Sequence, residues 1–113
     1  MARRRVESVS GSLIRLADWP PEGLSETEAD VDGARLSLVL LRQGGTLKAW
    51  LNVCPHAGRR LDWAPGKFLV DKGRLVCAAH GASFELERGE CVAGPCKGAS
   101  LVPMRVAVAG AAG

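Results

Sequence analysis

Tyrosine is absent from this 113-residue chain, and other aromatic residues are few: three tryptophans and two phenylalanines. Binders of single-stranded nucleic acid stack its bases on aromatic side chains, so no nucleic-acid partner is expected. Charge of one sign is also scarce. The formal net charge is +3, and the basic residues are scattered except at Arg3, Arg4 and Arg5 and at the pair Arg59-Arg60. No stretch approaches the roughly 20 apolar residues that span a bilayer, so no membrane partner is expected. The basic start could open a signal peptide, but Glu7, Ser8, Ser10, Gly11 and Ser12 interrupt any apolar h-region. The expected location is therefore cytoplasmic, where thiols stay reduced and cysteines bind metal more often than they pair. Neither a Gly-x-Gly-x-x-Gly fingerprint nor a P-loop is present, which removes the common nucleotide sites.

What is present suits one soluble domain over residues 1–113, with 47% apolar and 24% charged residues. Short apolar or alternating runs are separated by glycine and proline turns, which predicts an all-β fold. Residues 35–42 read as a strand. Gly44-Gly45 then turns the chain into a second strand, with Leu47, Ala49, Leu51 and Val53 alternating. A second hairpin is expected to join 67–70 to 74–77 across Asp71-Lys72-Gly73, and a third turn to lie at 87–90. Val102, Met104, Val106 and Val108 predict a closing strand, with Pro103 at an edge or at the strand's own start. Residues 19–32 carry Pro20-Pro21 and five acidic side chains, and read as a solvated loop with room for a helical turn at 25–29. The small-residue tail 109–113 is expected to fray.

The chemistry gathers at two short stretches, Cys54-Pro55-His56 and Cys77-Ala78-Ala79-His80. These hold the only two histidines of the chain, each close behind a cysteine at the end of an expected strand. Thiolate suits iron–sulfur clusters and zinc, and imidazole suits iron and zinc. Two of each leave a choice between structural zinc and a mixed-ligand [2Fe–2S] centre. With both histidines so placed, no Ser–His–Asp or Cys–His catalytic set remains. Glu85, Glu87 and Glu90 read as an exposed charged turn.

At these residues the sequence resembles the Rieske family, whose signature pairs a Cys-x-His loop with a Cys-x-x-His loop, each followed by glycine. Here the loops read Cys54-Pro55-His56-Ala57-Gly58 and Cys77-Ala78-Ala79-His80-Gly81. Asn52 before the first loop, Phe84 after the second and Gly94-Pro95 add to the likeness, which runs from about 50 to 108. The resemblance implies a small antiparallel β-sandwich with a cluster-binding subdomain: ligand loops at about 52–62 and 75–84, and a proline loop at about 93–97. It implies one [2Fe–2S] cluster, with Cys54 and Cys77 on one iron and His56 and His80 on the other. Family potentials span about −150 to +300 mV. High-potential members carry Ser and Tyr hydroxyls where this chain has Ala82 and Phe84, and a disulfide where it has Arg59 and Ala79. The low end is therefore expected, with proton uptake on reduction at high enough pH.

The implied role is a one-electron carrier and not an enzyme: a ferredoxin between a reductase donor and an oxygenase or reductase acceptor. The small subunit of an assimilatory nitrite reductase is the alternative. A structural zinc module for protein contacts is the alternative from another class. The segment with Trp63 is longer than usual in the family. It reads as a docking face or, preferred, as a solvated loop with Trp63 tucked against the core. Cys91 and Cys96 are expected to be buried free thiols, with a mutual disulfide as the other reading. Oligomeric state is left open by the sequence.

Overall fold

Asp32 and Gly33 both take positive φ, 51° and 86°, the requirement of a tight two-residue hairpin turn. They join β2 (Gly23–Val31) to β3 (Ala34–Gln43), which continues through the expected Gly44-Gly45 turn into β4 (Thr46–Leu51). The computed structural model describes residues 13–55, 58–78, 81–94 and 98–108. Among these, a short β1 (Leu13–Leu16) and the closing β9 (Pro103–Val108) complete a five-stranded sheet of order β1-β9-β4-β3-β2. A four-stranded sheet, β5-β6-β7-β8, is built from β5 (Leu69–Asp71), β6 (Arg74–Val76), β7 (Ser83–Phe84) and β8 (Cys91–Ala93). The all-β expectation holds. Pairing is antiparallel except between β1 and β9, which run parallel. Pro103 opens an interior strand, so its place is the strand's start and not an edge.

The solvated loop expected at 19–32 is instead largely strand β2. Its acidic residues are not left to water alone. Arg35 pairs with Glu28 at 3.3 Å and Asp30 at 3.4 Å, and the Ser37 hydroxyl donates to Glu26 at 2.7 Å. Those partners stand on β3, a neighbour that proline and acid content do not reveal. Charges on an edge strand also oppose pairing with foreign strands.

Strand β3 separates two cores. Leu38 and Leu40 pack with Ile14, Val31, Ala49 and Met104, all from the five-stranded sheet itself. Val39 and Leu41, on the opposite face, pack with Trp50, Leu75, Phe84 and Leu101. The alternation explains why all four residues from 38 to 41 are buried. The second core lies between the two sheets, and both cysteines of the motif pair belong to it.

Candidate metal centre

Cys54 and Cys77 each follow closely on the end of a strand, β4 and β6. The two loops they open close identically. The Cys54 N–H donates to the Arg59 carbonyl at 2.7 Å, and the Gly58 N–H donates back to the Cys54 carbonyl at 2.8 Å. In the second loop the Cys77 N–H donates to Ala82 at 2.7 Å and the Gly81 N–H to Cys77 at 2.8 Å. Gly58 and Gly81 turn the chain at φ of 68° and 76°, a conformation that costs glycine little. Although the cysteine–histidine spacing differs, the cysteine–glycine spacing is the same. His56 and His80 lie outside the described residues.

A third loop uses the same frame. The Glu85 N–H donates to Glu90 at 3.0 Å and the Gly89 N–H to Glu85 at 3.0 Å. Here the first residue is an anion, and the Glu85 carboxylate accepts from the N–H groups of Glu87, Arg88 and Glu90. The Glu90 amide foremost, with those of Arg88 and Glu87, holds its carboxyl below the ordinary carboxylate range although burial pushes it up. The frame thus gathers amides around a negative side chain at its first position. In the other two loops that position is a cysteine.

Both thiols are buried, Cys54 at 0% and Cys77 at 1% exposure, in one apolar core with Leu61, Leu75, Ala82 and Phe84. The loops are also tied to each other. The Ala78 N–H donates to the Leu61 carbonyl at 3.2 Å, and the Leu61 N–H donates to Asn52 Oδ1 at 2.9 Å. Asn52 Nδ2 in turn donates to Ser37 Oγ at 3.1 Å, and Ser37 reaches Glu26. The buried Asn52 amide therefore spends its polar groups joining β3 to both cysteine loops. Arg60 grips Asp62 through two 2.9 Å bonds, and the Gly66 N–H adds a third at 3.1 Å. Burial pushes the Asp62 carboxyl up, but Arg60 and Gly66 outweigh it and leave it below the ordinary range. The residue pattern at 19–32 does not show the support from Glu26 and Ser37; the Asp32-Gly33 pair is its one signal in the sequence.

On a third side Gly94 packs against the second loop. A Cβ on Gly94 would stand 2.8 Å from Ala82 Cα, and its φ is +93°. Gly94→Ala is expected to lift this segment off the loop and to lower stability by about 1–3 kcal/mol, combining strain with a backbone clash. Chemical denaturation measures this, and an unchanged midpoint would contradict the packing. Cys91 is a buried free thiol whose Sγ donates to the Ala93 carbonyl at 3.3 Å. Pro95, Cys96 and Ala79 lie outside the described residues. Ala82 and Phe84 are fully buried, so neither expected hydroxyl position supplies one. Trp63 differs from the preferred expectation: it is 62% exposed and is not tucked against the core.

The donor chemistry fits an iron–sulfur cluster. Two thiols at equal places of matched loops share one dry core, within frames suited to an anion. A comparison with protein families matches the Rieske [2Fe–2S] domain over residues 17–108, which extends the likeness back through β2 and β3. A comparison with curated proteins finds no match. Among solved structures, the ferredoxin of carbazole 1,9a-dioxygenase from Nocardioides aromaticivorans IC177 is similar, at 26% identity and a TM-score of 0.50. The match covers 75% of this chain and 88% of that one. With its paired cysteine loops lying inside the matched span, this chain belongs to the Rieske [2Fe–2S] domain family.

Proposed function

We propose that the chain is a one-electron carrier of the ferredoxin type, a single domain in which Cys54, His56, Cys77 and His80 hold one [2Fe–2S] cluster. The observation that carries this reading is the pair of identically closed loops with both cysteines buried in one core. When bound, the cluster supplies a site that accepts and returns one electron. The chain's own residues do the rest. Cys54 and Cys77 bring the negative charge, the closed loops fix where each cysteine stands, and Leu61, Leu75 and Phe84 exclude water. Both histidines are ligands in this account, which leaves none for catalysis.

Potential follows from what the second loop lacks. A hydroxyl bonded to the cluster stabilises the more negative, reduced form and raises the potential. Ala82 and Phe84 offer none, so the potential falls at the low end of the family range. Ala82→Ser is expected to raise it by about 40–90 mV. That is the one-electron equivalent of about 1–2 kcal/mol of preferential hydrogen bonding. A redox titration followed in the visible range reads the shift, and an unchanged potential would remove this explanation. A cytoplasmic ferredoxin, loaded by a reductase and drawn on by an oxygenase or reductase, suits such a potential. The similar structure is itself titled the ferredoxin of a dioxygenase.

Absorption and metal content test the reading. Red-brown protein with two irons per chain supports it, and colourless protein with one zinc overturns it.

A further inference from the structure

Trp63 and Arg59 stand beside the contact between the two cysteine loops. An open cleft of about 430 Å³ there is lined by Arg59, Arg60, Asp62, Trp63 and Ala78. Arg59 closes the first loop, and Ala78 follows Cys77 in the second. The two arginines differ. Arg60 is committed to Asp62 and Glu26, whereas Arg59 is exposed and enters no ion pair among the described residues. Trp63, at 62% exposure, presents an indole to water beside that cation. Tryptophan and arginine are the residues that most often dominate binding at protein interfaces.

Charge over the chain points the same way. Residues 1–52 hold seven basic and seven acidic side chains, while residues 53–113 hold eight basic and five acidic. The ligand loops thus belong to the positive half. Such an asymmetry turns that half toward a negative partner during encounter.

We propose that Trp63 and Arg59 form the docking surface for an acidic redox protein, with Trp63 as the apolar anchor and Arg59 as the uncommitted cation. This rests on the electron-carrier reading given above. In the docked pair the partner gives up one electron and this protein gains it, or the reverse, with no bond made or broken.

The test uses the cluster-loaded protein. Its oxidised form is mixed in a stopped-flow instrument with a reduced plant-type ferredoxin, an acidic protein of lower potential, at rising salt. The rate is expected to fall with salt. Trp63→Ala is expected to slow it by roughly tenfold, and Trp63→Phe to restore most of the loss. Arg59→Gln is expected to slow it about threefold at low salt and to flatten the salt dependence. The visible spectrum and potential of each variant are recorded first. A missing iron–sulfur spectrum would sink the carrier reading. An intact spectrum with a salt-independent rate, or with Trp63→Ala as fast as the parent, would overturn the docking surface alone.

Discussion

Cys54→Ser is expected to give a colourless protein that retains almost no iron, while Cys91→Ser stays coloured. All three thiols of the described residues are buried in the same core, so burial does not tell them apart. Loop position does. Cys54 and Cys77 each open a loop closed by the same pair of backbone bonds as the one in which Glu85 gathers amides around its carboxylate. Cys91 begins β8 and places its thiol on the Ala93 carbonyl. Serine retains the shape of cysteine but is a poor ligand for iron in a thiolate site. The cost to the metal-free fold is about 1–3 kcal/mol for a buried hydroxyl, against complete loss of the cluster. Iron analysis and the visible spectrum read the outcome. Equal bleaching by Cys54→Ser and Cys91→Ser would contradict the assignment and favour an all-cysteine site.

Asn52→Ala is expected to be the most damaging change away from the ligands. The Asn52 side chain accepts from the Leu61 N–H and donates to Ser37, and Leu61 carries the bond to the second loop through Ala78. Alanine leaves the buried Leu61 amide without its acceptor and removes a partner from Ser37. Each buried polar group left unpaired costs about 1–3 kcal/mol, so the loss is about 2–4 kcal/mol in total. Because the two loops lose their shared tie, the cluster is also expected to bleach faster. Denaturation midpoints and the decay of visible absorption measure the two effects. A variant within about 0.5 kcal/mol of the parent, the range of an ordinary surface change, would show that the relay does not hold the loops.

The proposed ligand set rests on a local signal in the sequence: two histidines, each a few residues behind a cysteine. The hairpins at Gly44-Gly45 and at 71–73 were legible from such a signal too. The equality of the loops emerged only with the backbone bonds, which show the same four-residue step from Cys54 to Gly58, Cys77 to Gly81 and Glu85 to Gly89. What failed depends on distant partners. β2 looked like a solvated loop because its charges find Arg35 and Ser37 only after the chain has turned back. β1 gave no signal of its own, because four residues become a strand only beside β9. Trp63 reads as a core residue by hydrophobicity, a rule that identifies what is buried better than what is left outside.

The central claim is that two histidines and two cysteines share one cluster. Pulsed electron paramagnetic resonance on the reduced protein tests it most directly, because nitrogen bound to iron leaves a coupling that sulfur does not. The account predicts couplings from two imidazole nitrogens, with His80→Ala losing the signal or the cluster with it. A reduced, paramagnetic cluster with no nitrogen coupling, unchanged in His80→Ala, would contradict it.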